Sequence, residues 1–412
     1  MTVLINAASA NMGGSVTYLK NVLRWIPDVA PDDRFVVYLP SATRARLAGA
    51  VDGPNIKLEA YPYADSGGVS RMRFDQITIP RLVRSWGADV LFSSTGFGTF
   101  VSPCPEVLLV RNMAYFDEVF HARYRELGRN LRRNTIRRLH SLASIRRSDF
   151  VLFPTEAIRQ KVGAYVRIDD RRSAALLYGF DHEAFFQRKH SGELTRRVDA
   201  WRKDGYRILL NVSTFAVQKN YETLVEALAQ LARAGTKVKL LLTIAREKTT
   251  DKREYDALLD RASELGVRDD IMLLGHVPYE ELGGVYEAAD LYVFPSFSES
   301  FGHSLVEAMA SDLPIVAADT PVNREVCGQA GCFFSSFDPQ ECARAIQKVL
   351  SDDEEARLLA ARARERACAF SWRRYTEELV AIFRRTAALP ARAREVQPSR
   401  TASDTIAVQS KA

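Results

Sequence analysis

The 412-residue sequence alternates short apolar runs with longer amphipathic segments. Apolar runs of about four to eight residues bounded by turn residues are typical of buried strands, and amphipathic segments are typical of helices. Strands that alternate with helices predict βαβ crossovers and parallel sheets. The predicted strands of the first half are VLINA (3–7), FVVYL (35–39), DVLFSS (89–94), EVLLV (106–110) and FVLFP (150–154).

The same alternation starts again near residue 200, which indicates a second unit of the same class. A chain of this length is too long for one hydrophobic core. We therefore predict an α/β protein with two doubly wound domains that face a central cleft. The predicted strands of the second unit are RILLNVS (207–213), KVKLLLTI (237–244), IMLLG (271–275), LYVFP (291–295) and PIVAA (314–318).

The domain boundaries follow from where this pattern is interrupted. We expect the first domain to span residues 1–185 and the second to span 200–370, joined through the polar segment 187–206. The pattern of 371–388 predicts a terminal helix. The small and polar residues of 389–412 are typical of a disordered tail.

Charge and cysteine usage narrow the function classes. The net charge of +6 favours anionic ligands such as nucleotides, phosphates, lipid head groups or nucleic acid without choosing among them. The five cysteines form no C-x-x-C pair, which is typical of reduced thiols in a cytosolic protein. No signal peptide pattern begins the sequence, and no apolar run reaches the roughly 18–20 residues that span a bilayer. We expect a cytoplasmic protein.

In the segment FPSFSESFGHSLVEAM (294–309), a predicted helix follows a predicted strand, and two acids, Glu299 and Glu307, lie on either side of the junction. Ligands of parallel sheets bind beyond the carboxyl ends of the strands. Gly302 lets the backbone approach a ligand, and carboxylates accept hydrogen bonds from sugar hydroxyls. The alternative is that both acids simply favour a helix N-terminus.

The longer string FPSFSESFGHSLVEAMASDLPIVAADTPVNREV resembles the E-x7-E signature of the family 4 retaining glycosyltransferases, which have the GT-B fold of two Rossmann-like domains. The resemblance implies that Glu299 contacts the sugar of a donor and that Glu307 binds its ribose. It also implies that the backbone of Ser300, Phe301 and Gly302 holds sugar hydroxyls and phosphate. In this family the terminal helix crosses back onto the first domain.

Lys219 stands in NVSTFAVQKNYETLVEAL (211–228), where a helix follows the first strand of the second domain. A cation at a helix N-terminus opposes the helix dipole, which favours a nearby anion. Lys219 matches the phosphate-binding lysine of the family, although an ordinary surface lysine is the alternative. The family usually has an arginine five positions earlier, where this chain has Thr214. We consider Arg246 or Arg324 as replacements.

Two first-domain segments complete the candidate site. The pair Gly13 and Gly14 in NMGGSVTYLKNVL (11–23) follows the first strand, so its amides are candidates for donor phosphate or the acceptor pocket. A plain turn is the alternative. In LLVRNMAYF (108–116), many relatives have a histidine near the donor sugar, and Arg111 and Asn112 stand there instead. Both side chains can bond sugar hydroxyls, and Asn112 is taken as a donor-binding residue.

Partners and metals follow from other patterns. The chain has no Asp-x-Asp, which favours a metal-independent site, and we expect no cofactor besides a nucleotide diphosphate sugar as co-substrate. Residues 118–147 read as one long basic amphipathic helix, which suits either an anionic membrane surface or a packed helix with a solvated face. No nucleic-acid-binding motif accompanies the arginines.

The resemblance, taken with these patterns, implies a retaining glycosyltransferase that moves a sugar from a nucleotide diphosphate sugar to a glycan or lipid-linked acceptor. The second domain would hold the donor, and the first the acceptor. Glu299 and Lys219 are the predicted catalytic residues. The alternative is a non-catalytic nucleotide-sugar-binding partner of another transferase, which Thr214 and Arg111 favour.

Overall fold

Two parallel sheets organise the chain. The computed structural model describes residues 1–11, 14–51, 53–61, 68–186 and 192–389. The first sheet consists of β1 (Thr2–Asn6), β2 (Arg34–Pro40), β3 (Ile56–Tyr61), β4 (Val90–Ser93), β5 (Glu106–Leu109), β6 (Phe150–Phe153) and β7 (Ser173–Ala175). The second consists of β8 (Arg207–Asn211), β9 (Val238–Leu242), β10 (Ile271–Leu273), β11 (Leu291–Phe294), β12 (Ile315–Ala318) and β13 (Gly331–Phe334).

Both sheets are doubly wound. The first has the order β3-β2-β1-β4-β5-β6-β7 and the second the order β10-β9-β8-β11-β12-β13, with every neighbouring pair parallel. The strand order therefore reverses between β1 and β4 in one sheet and between β8 and β11 in the other. Ligands bind at such reversal points. The predicted fold class of two Rossmann-like units is confirmed.

Helices connect the strands. In the first half they are α1 (Gly14–Val29), α2 (Ser41–Leu47), α3 (Gly68–Arg73), α4 (Ile79–Trp86), α5 (Glu118–Glu126), α6 (Arg132–Arg147), α7 (Glu156–Gly163) and α8 (His182–Phe185). The rest are α9 (Glu193–Lys203), α10 (Tyr221–Arg233), α11 (Lys252–Glu264), α12 (Leu282–Glu287), α13 (His303–Ala310), α14 (Pro321–Cys327), α15 (Pro339–Ser351), α16 (Asp353–Ala367) and α17 (Trp372–Ala387).

Both faces of each sheet are covered by apolar side chains. Along β1, Ile5 packs in one core cluster and its neighbour Leu4 in another, and both are almost fully buried. Along β8, Leu209 and Leu210 divide between two clusters in the same way. Continuous apolar runs are typical of parallel strands buried on both sides, which explains why these strands stand out in the sequence.

The two halves of the chain are joined at a close backbone crossing. The backbone N–H of Phe180 donates to the carbonyl oxygen of Phe370 at 3.3 Å, and Phe180 bridges to Ser371. Immediately after this crossing α17 begins at Trp372, and it packs on α1, β4 and β5 of the first sheet.

Some sequence predictions of secondary structure are wrong. Residues 118–147 form two helices, α5 and α6, because Gly128 takes a left-handed conformation (φ 67°) between them. The polar segment 187–206, taken as the boundary region, contains the helix α9, which buries Leu194 and Val198. The sequence also missed three strands, β3, β7 and β13, each of which lies at the edge of its sheet.

Within the described ranges, no helix is both long and apolar enough to cross a bilayer.

Candidate active site

A cleft of about 610 Å³ lies between the two sheets, beyond the carboxyl ends of their strands. It is lined by loops that follow β1 and β5 in one sheet and β8, β9 and β11 in the other, so both strand-order reversals contribute. From the first half of the chain its lining residues are Gly14, Ser15, Thr17, Arg111, Asn112 and Tyr178. From the second half they include Ser213, Thr214, Lys219, Thr243, Tyr279, Glu299, Ser300, Phe301, Gly302, His303 and Glu307.

The two predicted catalytic residues lie together. The Nζ of Lys219 is 2.5 Å from Oε1 of Glu299, and both side chains are largely buried, at 16% and 14% exposed. Lys219 ends a 3-10 turn after β8, and Glu299 lies in the loop after the adjacent strand β11. In this ion pair the Glu299 carboxylate balances the charge of the Lys219 ammonium, and only one carboxylate oxygen of Glu299 is used. Both side chains line the cleft.

Glu307, the second acid of the signature, is almost completely buried in α13 and still borders the cleft. The hydroxyl of Tyr286 donates to its Oε2 at 2.8 Å. Burial raises the pKa of Glu307 to about 7, and the Tyr286 hydrogen bond offsets only part of that rise. A buried carboxylate has few water molecules around it, so a hydrogen-bond donor from a ligand would stabilise its charged form.

The N-terminus of α13 borders the cleft, since Gly302, His303 and Ser304 line it. Gly302 precedes the helix with φ 83°, a left-handed conformation that favours glycine, and a Cβ there would make a tight 3.2 Å contact with Leu305 Cδ1. Phe301 is buried against Tyr178 and Phe370, so only its backbone is offered to a ligand. A helix N-terminus with exposed amides favours a bound anion.

His303, the first residue of α13, belongs to a cluster of aromatic rings between the two halves of the chain. Its ring stacks on Tyr178 with a centroid distance of 5.4 Å and an interplanar angle of 6°, and it also faces Trp372. Burial, together with the charges of Arg111 and Lys219, lowers the pKa of His303 to about 4. The ring is therefore neutral at pH 7 and packs as an aromatic group.

The first half of the chain contributes residues that the sequence predicted in part. Gly14 begins α1 and borders the cleft, whereas Gly13 lies outside the described residues. Asn112 also borders the cleft, but its side-chain oxygen accepts from the amide of Ala114 and caps a 3-10 turn, so only its amide NH₂ remains to donate. Arg111 borders the cleft beside it.

The proposed replacements for the missing arginine are wrong. Arg246 forms a two-bond ion pair with Asp256, with both distances 2.7 Å, and Arg324 pairs with Asp319. Neither arginine lines the cleft. Thr214 lines it as an exposed neutral residue.

Several polar contacts tie the two halves together across the cleft. Ser300 Oγ donates to the carbonyl oxygen of Arg111 at 2.5 Å. The Glu325 carboxylate accepts from the first two amides of α7, both at 2.7 Å, and so caps a helix of the opposite domain. Arg129, from the turn between α5 and α6, pairs with Asp251 and Glu254, each at 2.7 Å. These contacts connect the two halves of the chain on either side of the cleft.

Residues that the sequence analysis missed reach the site through the fold. Tyr286, the partner of Glu307, lies in α12, and Tyr178 lies in the connection between the halves. Neither tyrosine carries a local sequence signal, because its role depends on strands far apart in sequence.

A second cavity of about 240 Å³ shares Glu299 with the cleft. The other lining residues of the second cavity include Met113, Asp117, Gln160, Lys161, Phe297, Ser298, Thr320, Pro321 and Val322.

We expect Glu307→Gln to stabilise the ligand-free protein at pH 8. The folded state holds the Glu307 proton more tightly than the unfolded state, whose pKa is about 4.5, so ionisation opposes folding progressively as the pH rises from 4.5 to 7. The full cost above pH 7 is about 3 kcal/mol, which glutamine removes while keeping an acceptor for Tyr286. Urea unfolding of both proteins at pH 8 and pH 5.5 measures the difference.

The advantage of the variant should shrink between pH 8 and pH 5.5, and its affinity for nucleotide should fall. Buried Glu106, whose pKa is also raised to about 7, is present in both proteins and cancels in the comparison. A wild type at least as stable as the variant at pH 8 would contradict the assignment of Glu307 as a strained, ligand-ready carboxylate.

Comparison with known proteins relates part of the chain to a known family. Residues 195–366 match the family model of "Glycosyl transferases group 1". The chain is 30% identical over 227 residues to the D-inositol 3-phosphate glycosyltransferase of Nocardia farcinica, an alignment that covers 52% of this chain and 50% of that protein. It is 31% identical over 186 residues to the O-antigen chain mannosyltransferase B of Escherichia coli, covering 45% of this chain and 46% of that protein. The chain thus aligns with about half the length of these curated relatives.

Solved structures share the whole fold at low identity. The Anabaena protein HepE in complex with UDP-glucose superposes with a TM-score of 0.70 and 18% identity, covering 93% of this chain and 100% of that chain. Sucrose-phosphate synthase from Thermosynechococcus elongatus gives a TM-score of 0.71 at 18% identity, covering 93% and 98%. The signature acids, the family match and the two-sheet architecture agree. Residues 195–366 thus carry the sequence of a group 1 glycosyltransferase domain, and the chain has the GT-B fold.

Proposed function

We propose that the protein is a retaining glycosyltransferase that moves a sugar from a nucleotide diphosphate sugar to a glycan or lipid-linked acceptor. The observation that carries the proposal is one cleft bordered by Glu299, Lys219, the α13 amides and Glu307. Glu307 accepts the ribose hydroxyls, and the diphosphate lies against the α13 N-terminus and Lys219. Glu299 then contacts the transferred sugar.

The chemistry needs charge stabilisation more than a protein nucleophile. Breaking the bond between sugar and diphosphate develops negative charge on the leaving phosphate, and fixed cations and amides stabilise that charge. We propose that protein groups supply this role and that no metal ion is needed, which activity in the presence of EDTA tests. Glu299 is held in an ion pair with Lys219 and is therefore disfavoured as an attacking group. Retention would follow if the acceptor attacks from the face of the departing diphosphate.

The acceptor hydroxyl needs its own approach to the transferred sugar. We propose that it comes through the second cavity, since Glu299 lines both cavities and the transferred sugar lies beside it. That cavity offers the apolar surfaces of Phe297 and Val322 and the polar groups of Gln160 and Thr320. Such a mixture suits a sugar ring, whose faces are apolar and whose edges are hydroxyls.

We further propose that α6 brings the enzyme to an anionic membrane surface, as a lipid-linked acceptor requires. Ile136 and Leu139 lie one turn apart on α6 and are 67% and 61% exposed, with exposed Arg132 and Arg133 on the same helix. Apolar side chains among cations are typical of interfacial helices. Arg129 instead pairs across the cleft, so it is not part of this surface. Sedimentation with anionic and neutral vesicles, for wild type and Ile136→Asp, tests the contact.

The activity itself is tested with the purified chain alone. We expect it to release nucleotide diphosphate slowly from one of the UDP-, GDP- or dTDP-sugars, and faster when the acceptor is added. A panel of these donors, with product detected by chromatography, identifies the nucleotide and the sugar. Binding of a nucleotide sugar without any release or transfer would favour the non-catalytic partner and contradict the enzyme.

A further inference from the structure

The proposed donor site lacks a second cation in its usual place. Thr214 is neutral, and Arg246 and Arg324 are paired outside the cleft. Lys219 is itself compensated by Glu299 at 2.5 Å. A departing diphosphate bears about two negative charges. With Lys219 already paired, the second domain would have only the amides of α13 to stabilise most of that charge.

Arg111 is a cation of the first domain that lines the same cleft. Across the described parts of the chain, no carboxylate pairs with its guanidinium. The Cζ atom of Arg111 lies 5.9 Å from the centroid of the Tyr18 ring. Its charge reaches the start of α13, since Arg111 and Lys219 both lower the pKa of His303. The guanidinium and the ammonium therefore approach the same helix N-terminus from opposite domains.

A second group beside Arg111 also lacks a partner. Tyr178 is 4% exposed, and its hydroxyl makes no hydrogen bond to any residue that the structure describes, although the residue borders the cleft. A buried hydroxyl without a partner is costly. Its pKa is raised by burial, so it remains a hydrogen-bond donor, and Arg111 lies close enough to influence it. An anionic oxygen between Tyr178 and Arg111 would satisfy both groups.

We infer that Arg111 is the second diphosphate-binding cation of this enzyme, supplied by the first domain, with the Tyr178 hydroxyl as an additional donor. The inference rests on the proposed function and assigns Arg111 to the leaving group, where the sequence suggested sugar hydroxyls. Because the cation comes from the opposite domain, the charge on the leaving group is compensated only when the cleft is closed. The hydrogen bond from the Ser300 hydroxyl to the carbonyl oxygen of Arg111 joins the two domains at this point of the cleft.

The test compares binding of diphosphate and nucleoside. By calorimetry, Arg111→Met should weaken UDP or GDP, whichever the wild type binds, at least about tenfold, and should leave uridine or guanosine unchanged. Donor turnover should fall on the order of 10²–10³-fold, with kcat affected more than KM. Arg111→Lys keeps the charge and should lie within about tenfold of the wild type.

A compensating variant sharpens the test. Adding Thr214→Arg to Arg111→Met places a guanidinium at the neutral position and should recover turnover at least about tenfold. Arg246→Met is the matched control, since it removes an exposed arginine paired outside the cleft, and it should behave as wild type. Thermal unfolding of each variant confirms that the fold is intact.

Unchanged diphosphate affinity and turnover in Arg111→Met, with the wild type active, would overturn this inference and leave the proposed function standing. Equal losses for diphosphate and nucleoside would also overturn it, because they would indicate a structural role. A wild type that binds none of UDP, GDP and dTDP and releases none of them from a nucleotide sugar would contradict the proposed function and remove this inference with it.

Discussion

Lys219→Met should lower donor turnover on the order of 10²–10³-fold while the protein stays folded. The Lys219 ammonium lies at the wall of the cleft beside the α13 N-terminus, where the leaving diphosphate is proposed to develop its charge. Removing a fixed charge at such a position costs transition-state stabilisation that solvent does not replace. The loss should be seen in donor hydrolysis and in transfer, both measured at saturating donor.

The stability cost should be small by comparison. The pair is largely buried, but Glu299 borders the cleft and can be hydrated there, so removing Lys219 should cost about 1–2 kcal/mol and move the unfolding midpoint by only a few degrees. Lys239→Met is the matched control, because the pair of Lys239 with Asp270 is similarly buried and lies outside the cleft. Glu299→Gln should lose turnover like Lys219→Met. Full activity in either cleft variant would remove the site assignment.

Gly179→Ala should have the largest effect on stability. A Cβ at Gly179 would lie 2.0 Å from the backbone nitrogen of Trp372 and 2.5 Å from the carbonyl carbon of Ser371. Both atoms are main chain at the crossing of the two interdomain connections, so neither can move as a flexible side chain would. We expect a loss on the order of 4 kcal/mol and a fall in the unfolding midpoint of about 10 °C.

The control for this variant is Gly163→Ala, where a Cβ has no heavy atom within 4 Å. Alanine is the better helix former there, so the midpoint should be unchanged or slightly higher. Differential scanning calorimetry of the three proteins gives the comparison. A Gly179→Ala midpoint equal to that of the wild type would show that the two connections do not lie backbone to backbone in solution.

The sequence predicted the fold well where strands are buried on both faces. All five predicted strands of each series carry continuous apolar runs and occur in the sheets, including β10 at the edge of the second sheet. The missed strands β3, β7 and β13 lie at sheet edges, where one side of the strand has no partner and the apolar signal is weaker. The break between α5 and α6 depends on the left-handed Gly128, which the arginine-rich pattern concealed.

The site was predictable only where one short segment carries it. Glu299, Gly302 and Glu307 lie within nine residues of sequence, so a single motif predicted their neighbourhood. The Lys219–Glu299 pair joins loops 80 residues apart, and the opposing Arg111 comes from the other domain. Whether an arginine is paired depends on tertiary contacts that the sequence does not show. Arg246 and Arg324 were therefore reasonable candidates, but in the structure both are paired with aspartates outside the cleft.

The central claim is that the cleft binds a nucleotide diphosphate sugar between its two acids, and a crystal structure of the protein with its nucleotide diphosphate tests it most directly. We predict ribose hydroxyls within hydrogen-bond distance of Glu307 and the diphosphate on the amides of α13, with Lys219 in contact. A nucleotide bound elsewhere, or a diphosphate that touches neither Lys219 nor the start of α13, would contradict the account.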